Sequence, residues 1–197
     1  SENGTIKAKV KMVSNGIQYD QRYQVERMSK EDQIEEYKDE FSHINNMKIN
    51  KINFLNDDKK IQFTEEVVFE AESYAQNTGG KLMFALNAFN QNNDVPKKHR
   101  NREFPFEIQR GYTDEDEITI EIPTGFQIEA MPNNVEITTE FGSYKIDFIS
   151  TENLLLHLKR KIVIHKGFYE SSKFEEYRKF RESIARADNS KVVISKS

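Results

Sequence analysis

The sequence predicts a mainly β fold, an antiparallel β-sandwich in one or two lobes with two peripheral helices. Short segments of alternating apolar and polar residues recur along the chain, and turns rich in Asn, Pro and Gly separate them. Two segments instead have helical periodicity. Of the 197 residues, 36% are hydrophobic and 11% aromatic, so Phe and Tyr side chains can form the core of one large domain or two small ones.

The first elements are two strands and a helix. Thr5–Val13 alternates and predicts a half-buried strand whose lysines point outward. Asn15-Gly16 is typical of a hairpin turn, so a second strand is predicted over Ile17–Arg27. A helix is predicted over Lys30–Asn45, because Ser29 can cap it with Asp32 three residues later.

The middle of the chain returns to strands and then loses its periodicity. Strands are predicted over Lys48–Leu55, Lys60–Tyr74 and Lys81–Asn90. The polar segment Asn90–Asn101 has no periodicity and indicates a loop or linker. It therefore predicts two domains, a β-rich segment with one helix over residues 1–100 and a β-sandwich over residues 101–197.

The second predicted domain ends in an amphipathic helix and a strand. Its six preceding strands are predicted over Arg102–Gln109, Glu117–Ile122, Phe126–Ala130, Asn134–Glu140, Ser143–Ser150 and Leu154–His165. The helix is predicted over Glu170–Ala187, with a capping box formed by Ser172 and Glu175, and a strand follows over Lys191–Lys196. One helix face carries apolar side chains that we expect in the core, namely Phe174, Tyr177, Phe180 and Ile184.

Composition excludes several classes of function. Charged residues make up 31% of the chain with a net charge of -4, and no basic stripe of the kind that binds nucleic acid is evident. No apolar run reaches membrane-spanning length. Cysteine is absent, which removes disulfides, thiolate metal sites and a cysteine nucleophile. No motif for a cofactor is present, and we expect none to bind.

The acidic and histidine residues offer weak metal-binding patterns. The run from Asp114 to Glu117 has calcium-type ligands but lacks the spacing and the Gly of a chelating loop, so a solvated turn is predicted. His157 and His165 are predicted on one strand about 26 Å apart, too far for a shared ion. His43 and His99 have no evident partner. We therefore predict no metal site.

One loop is a candidate binding site. Asn87, Phe89, Asn90 and Asn92 combine amide groups with an aromatic ring, and Asn93 follows them. Such groups can bind a sugar, although Asn-rich segments are more often only turns. A carbohydrate-binding module is thus the alternative function. An enzyme with two catalytic carboxylates, such as a glycosidase, is a third class, but nothing in the sequence singles out a pair.

Several motifs in the second half carry a resemblance to a known family. They are Arg102-Glu103-Phe104-Pro105-Phe106, Ile122-Pro123-Thr124-Gly125-Phe126, Glu129-Ala130-Met131-Pro132, Phe141-Gly142-Ser143-Tyr144, Tyr177-Arg178-Lys179-Phe180 and Lys191-Val192-Val193-Ile194. In this order they resemble the uncharacterised β-rich domain that ends large bacterial transglutaminase-like proteins. The resemblance is strongest over residues 101–196 and weaker over residues 4–90.

The resemblance implies an accessory function. In such proteins the catalytic Cys, His and Asp belong to a papain-like domain upstream, so no catalytic residue is expected in this chain. It implies a non-catalytic domain that mediates domain or protein interaction in the periplasm or cell envelope. The expected partners are the upstream transglutaminase-like domain of the same polypeptide and an envelope protein or glycan. Ser1-Glu2-Asn3-Gly4 fits this expectation, since it resembles the edge of a fragment.

Overall fold

The computed structural model describes residues 1–100, 102–151 and 155–197. Asn101 and Leu154, which begin a predicted domain and a predicted strand, lie outside these ranges. The chain divides into two compact units, Ser1–Asn77 and Thr78–Ser197. It is mainly β and its sheets are antiparallel, so the predicted fold class is confirmed.

The N-terminal unit is a three-stranded sheet with helices. The sheet has the order β1-β3-β2, formed by β1 (Ile6–Asn15), β2 (Met47–Asp57) and β3 (Gln62–Ala71). Helix α1 (Ile17–Arg22), a 3-10 turn (Tyr23–Arg27) and helix α2 (Lys30–Glu40) connect β1 to β2. The predicted cap of α2 is confirmed, since the Ser29 side chain accepts a hydrogen bond from the Asp32 backbone N–H.

The predicted second strand, Ile17–Arg27, is wrong, because this segment is helical. Gly16 has a φ of 57° and turns the chain out of β1 into α1 instead of into a hairpin. Tyr19 and Tyr23, four residues apart, stack with ring centroids 5.1 Å apart, as neighbours on one helix face do. The chain thus has three α-helices among its described residues where the sequence predicted two.

A bulge in β2 determines which side chains share a face. The pairing of β2 with β3 shifts register between Ile49 and Lys51, so Asn50 is an extra residue. Met47, Ile49, Ile52 and Phe54 therefore all point toward the helices, although their spacing breaks a strict period of two. Lys48 and Lys51 both point to the opposite, outer face.

Among its described residues, the C-terminal unit contains two four-stranded sheets and one two-stranded sheet. One four-stranded sheet has the order β4-β5-β13-β8, and the division between the two units falls within its first strand. Its strands are β4 (Gln76–Thr78), β5 (Lys81–Ala85), β8 (Phe126–Ala130) and β13 (Lys191–Lys196). The other, of order β7-β11-β10-β9, consists of β7 (Tyr112–Glu121), β9 (Val135–Thr139), β10 (Gly142–Ser150) and β11 (Leu155–Ile164). The short strands β6 (Phe106–Ile108) and β12 (Gly167–Tyr169) pair with each other.

Helix α3 (Phe174–Asp188) closes the core of this unit. Phe174, Phe180 and Ile184 are buried, as the helical spacing predicts. Tyr177 is half-buried, and its ring lies 5.3 Å from those of Phe106 and Phe141. The predicted capping box is wrong: no side chain caps α3, because a 3-10 turn over Ser171–Lys173 precedes it.

The division into compact units differs from the predicted division after residue 100. A compact unit is not the same as an independently folding domain, so the predicted domain boundary after residue 100 stays a prediction. In the part of the chain that the structure describes, no helix is long and apolar enough to cross a membrane.

Candidate functional site

A buried carboxylate lies at the centre of the C-terminal unit. Asp188 is fully buried at the last residue of α3. Both of its oxygens accept hydrogen bonds from Arg160, at 2.7 Å from Nε and 2.9 Å from Nη2. The Tyr144 hydroxyl donates a third at 2.7 Å. A negative charge at a helix C-terminus is unfavourable, and the buried guanidinium offsets it.

The strands place Arg160 by simple alternation. It lies on β11 between the outward-pointing Lys159 and Lys161, and its side chain is fully buried. On the neighbouring strand β7, Asp116 is its direct partner in register. Arg160 Nη1 donates to Asp116 Oδ2 at 2.7 Å. One guanidinium therefore joins two carboxylates from different elements.

The pKa values in this cluster reflect burial and opposite charge together. Burial disfavours the charged form of Arg160, but the hydrogen bonds and charges of Asp188 and Asp116 outweigh it and raise its pKa. Burial, reinforced by the charge of Asp188, raises the pKa of the Tyr144 hydroxyl. Burial also raises the pKa of Asp116, against the opposing effect of Arg160. Arg160 therefore remains charged, and Tyr144 remains protonated, at neutral pH.

The loop predicted as a binding site belongs to this cluster. The Asn87 side-chain amide donates to Asp188 at 3.1 Å, and the Asn92 backbone N–H donates to it at 2.9 Å. The Asn90 amide donates to both oxygens of Asp116 at 3.2 Å. We call these residues the Asp188 network: Asn87, Asn90, Asn92, Asp116, Tyr144, Arg160 and Asp188.

A second arginine extends the loop contacts. Arg181, from the buried side of α3, donates to the Asn92 side-chain oxygen at 2.8 Å and to the Tyr177 hydroxyl at 3.1 Å. It also forms an ion pair with the exposed Asp94 at 3.3 Å. Its Nε atom is buried and has no hydrogen-bond partner among the described residues. The loop is thus hydrogen-bonded to both Asp188 and Arg181.

Comparison with protein families places this network in a known domain. The model of DUF3858, a domain of unknown function with a solved structure, matches residues 80–194, which is more than half of the chain. The chain belongs to the DUF3858 family. Comparisons with curated proteins and with solved structures give no match. Every residue of the Asp188 network lies within the DUF3858 match.

The DUF3858 region contains all four predicted site residues and brings three of them together. Asn87 is fully buried, and Asn90 and Asn92 are half-buried, with their amide groups hydrogen-bonded inside the protein. Phe89 is half-buried on the same loop. These contacts give the Asn side chains a role in holding the loop, and binding of a sugar by this loop stays a prediction.

Sequence reasoning missed the centre of the network, Arg160 and Asp188. Arg160 did carry a signal, because it occupies an inward position of an alternating strand where Leu158 and Ile162 flank it on the same face. Asp188 gave none, since a polar residue at a helix end is usually exposed. Its pairing with Arg160 spans 28 residues and depends on tertiary structure.

The acidic run is not the solvated turn that was predicted. Asp114 to Glu117 lie within β7, so their side chains alternate between the two faces of the sheet. Asp116 joins Arg160, while Glu115 and Glu117 pair on the outer face with Lys161 and Lys159. Among the residues that the structure describes, no group of three His, Asp or Glu side chains could hold a metal ion.

The histidines lie apart, as their spacing indicated. His157 Nδ1 is 2.9 Å from the Thr119 hydroxyl on the outer face of β11. His165 follows the end of β11, with Nδ1 3.2 Å from the Glu140 carbonyl. His99 lines an open surface depression of about 290 Å³ with Arg102, Glu103 and Phe104.

Hydrogen bonding limits what the Asp188 network can do chemically. A carboxylate offers about four lone-pair positions. Asp188 already receives five contacts, from Arg160 twice and from Tyr144, Asn87 and Asn92. It therefore has no free position from which to abstract a proton, and the arrangement is suited to fixing a loop, a helix end and a sheet in one geometry.

Proposed function

We propose that this chain is a non-catalytic accessory module of a larger transglutaminase-like bacterial envelope protein, in which it mediates domain or protein interaction. The observation that carries the proposal is the saturation of Asp188, because the most deeply buried charges of the DUF3858 region serve structure. The motifs of the C-terminal half, in the order of the transglutaminase-like proteins, supply the context. That resemblance also supports a location in the periplasm or cell envelope.

Two exposed aromatic side chains support an interaction role. Phe104 and Phe168 are 77% and 68% exposed in the DUF3858 region. Large aromatic residues frequently supply much of the binding energy of protein interfaces when a partner buries them. We therefore expect these residues to contribute to a contact with the upstream transglutaminase-like domain.

Co-purification with the transglutaminase-like domain of the same polypeptide tests the proposal. We expect the two to co-elute and the melting temperature of the catalytic domain to rise. Phe104→Ser and Phe168→Ser should weaken the complex, whereas Leu55→Ser, at a 67% exposed residue of the N-terminal unit, serves as the matched control. Absence of binding, together with unchanged stability and activity of the catalytic domain, contradicts the orienting role.

Carbohydrate binding is the alternative proposal. Phe89 is half-buried on the same polar loop as Asn87, Asn90 and Asn92, and an aromatic side chain beside amide groups is a combination that can bind a sugar ring. A glycan array with the full chain and with Phe89→Ala is the direct test. Binding that is unchanged in the variant, or no binding at all, excludes this loop as the site.

A further inference from the structure

The outer face of the N-terminal sheet gathers an excess of positive charge. Strand β1 contributes three lysines and β2 contributes two, and all five are exposed. Between them, the central strand β3 presents two carboxylates and an apolar side chain. These side chains form what we call the lysine face: Lys7, Lys9, Lys11, Lys48, Lys51, Glu66, Val68 and Glu70.

The register of the strands explains this concentration. Three consecutive outward residues of β3 each have a lysine of β1 opposite them: Glu70 faces Lys7, Val68 faces Lys9 and Glu66 faces Lys11. On the other side, Lys48 and Lys51 face Glu70 and Val68 because the bulge at Asn50 keeps both lysines outward. The alternation of β1 and the bulge of β2 thus collect lysines in a chain whose net charge is -4.

The two carboxylates do not neutralise the face. Lys9 contacts Glu66 at 3.1 Å and Lys48 contacts Glu70 at 4.0 Å, but both lysines remain mostly exposed. The hydrogen bond from Lys9 lowers the pKa of Glu66, burial opposes it, and the charges of Lys9 and Lys11 lower the pKa further. Five lysines against two glutamates leave an excess of three positive charges.

Apolar side chains continue the same face at one end. Val13 of β1 and Leu55 of β2 lie opposite the same residue of β3, Thr64, and are 45% and 67% exposed. Lysine stems can lie along apolar surface while their charged ends remain in water. The face therefore combines an array of ammonium groups with exposed aliphatic groups.

We propose that the lysine face docks on an anionic lipid surface. Lysine is depleted in protein interfaces, whereas lysines combined with apolar side chains are the pattern by which amphipathic helices bind anionic membranes, and this sheet face presents the same two kinds of group. The face has neither arginine for paired phosphate recognition nor an aromatic ring for base stacking, which favours lipid over nucleic acid. The anionic headgroup and the acyl boundary match its charged and apolar parts.

The excess of positive charge gives the expected strength of binding to an anionic membrane. Each basic residue near an anionic membrane surface strengthens binding about fivefold, so an excess of three charges corresponds to about 100-fold. The interaction should weaken as salt rises, because exposed charges are screened over about 10 Å at 0.1 M ionic strength. This inference is independent of the proposed accessory function, since it concerns another unit and another partner.

Co-sedimentation of the full chain with lipid vesicles tests the proposal. The vesicles are phosphatidylcholine alone, or equal parts of phosphatidylcholine and phosphatidylglycerol, at low and at physiological salt. We expect binding to the mixed vesicles at low salt, reduced binding at physiological salt and about 100-fold weaker binding to phosphatidylcholine. No binding to the mixed vesicles at low salt overturns the proposal.

Paired variants locate the binding surface. Lys7→Gln with Lys11→Gln should weaken binding by at least about tenfold, given the fivefold effect of each charge. Lys159→Gln with Lys161→Gln removes the same charge from an outer sheet face of the C-terminal unit, where both lysines pair with glutamates, and should change binding little. Circular dichroism confirms that each variant is folded. Equal losses in the two pairs overturn the assignment to the lysine face.

The other polyanions are outcomes of the same experiment. Polyglutamate and single-stranded DNA are added as competitors at matched charge concentration. Retention of vesicle binding supports a lipid surface. Binding of polyglutamate or DNA that is tighter than vesicle binding, and that is lost in the Lys7→Gln and Lys11→Gln variant, overturns the lipid assignment and identifies the face as an acidic-peptide or nucleic-acid surface.

Discussion

Both compact units bury an arginine against a carboxylate and a tyrosine, but they enclose these groups to different degrees. In the N-terminal unit, Arg22 donates to both oxygens of the buried Glu65 at 2.8 and 3.2 Å, and the Tyr37 hydroxyl donates at 2.6 Å. Arg160, Asp188 and Tyr144 form the corresponding trio in the C-terminal unit. The same three chemical groups thus link a helix to a strand in two different arrangements of secondary structure.

The difference lies in the surroundings of the arginine. The Arg22 side chain is 16% exposed and has two further carboxylate partners, Glu36 and Glu40, both partly in water. The Arg160 side chain is fully buried, and its second partner, Asp116, is mostly buried. Buried ion pairs add little net stability, but removal of one partner is costly because it leaves an uncompensated charge. The comparison therefore predicts unequal costs for equivalent substitutions.

The largest effect is expected for Asp188→Asn. The substitution keeps the shape of the side chain but leaves Arg160 buried with Asp116 as its one remaining carboxylate partner among the described residues. We expect a loss of about 4 kcal/mol in the free energy of unfolding of the C-terminal unit. Urea denaturation followed by circular dichroism measures it, since the chain has no Trp, and hydrogen exchange of the β11 amides assigns the loss to this unit.

The control for this variant is Asp94→Asn. Its side chain is 86% exposed and pairs with Arg181 at 3.3 Å, so its loss should be below about 0.5 kcal/mol. If Asp188→Asn costs less than about 1 kcal/mol, the Asp188 network does not hold the loop, helix and sheet together, and the proposed non-catalytic module loses its main support.

A smaller effect is expected for Glu65→Gln. Arg22 keeps Glu36 and Glu40 at 3.0 and 3.1 Å and retains contact with water, so its charge is not left alone. We expect a loss of about 2 kcal/mol, about half that of Asp188→Asn. The neighbouring Glu66→Gln, on the outer face, is the matched control. A loss equal to that of Asp188→Asn removes the distinction between the two units.

For the tyrosines we expect the opposite order, with the larger loss of stability in the N-terminal unit. Glu65 receives three contacts, two from Arg22 and one from Tyr37, whereas Asp188 receives five. Tyr37→Phe therefore removes a larger share of the hydrogen bonds to its carboxylate than Tyr144→Phe does. We expect losses of about 2 and about 1 kcal/mol, respectively, by the same denaturation measurement. The opposite order contradicts the idea that additional donors compensate at Asp188.

Alkaline pH provides a second measurement on the same variants. Burial and the adjacent carboxylate raise the pKa of Tyr37 and of Tyr144. In the unfolded chain these tyrosines lose their protons near pH 10, while the folded chain retains them. The unfolded state therefore binds fewer protons, and stability falls as the pH rises above about 10. Each Tyr→Phe variant should reduce this slope, and an unchanged slope contradicts the assigned burial.

The sequence predicts elements whose signals are local. The bounds of β8 and β13 agree with the predicted Phe126–Ala130 and Lys191–Lys196, because a Pro-Thr-Gly turn and an Asn-Ser helix end precede them. The failure at Ile17–Arg27 has a physical cause. Apolar residues at positions 17, 19, 23 and 25 fit the alternation of a strand. The contact of Arg22 with Glu65, made from the helix, joins residues 43 positions apart and so is not visible in the local sequence.

The candidate site is predictable in part for the same reason. The polar loop around Asn87 is visible in the sequence, but its partner Asp188 lies 101 residues away. The bulge at Asn50, which aligns Lys48 with Lys51, depends on the pairing of β2 with β3 and not on residue type alone. Long-range pairing thus limits prediction in both units, and it creates the two buried trios.

The smallest effects are expected at the outer carboxylates of the two arginines. Glu36 is 37% exposed and shares Arg22 with Glu40, so Glu36→Gln should cost less than about 0.5 kcal/mol. Asp116 is 19% exposed and binds both Arg160 and Asn90, so Asp116→Asn should cost about 1 kcal/mol. Its burial already penalises the charged form, which limits the loss. Equal losses by urea denaturation would mean that the exposure of Glu36 and Asp116 does not distinguish the two clusters. Any difference between Asp188→Asn and Glu65→Gln would then come from the arginine–carboxylate pairs Arg160–Asp188 and Arg22–Glu65 alone.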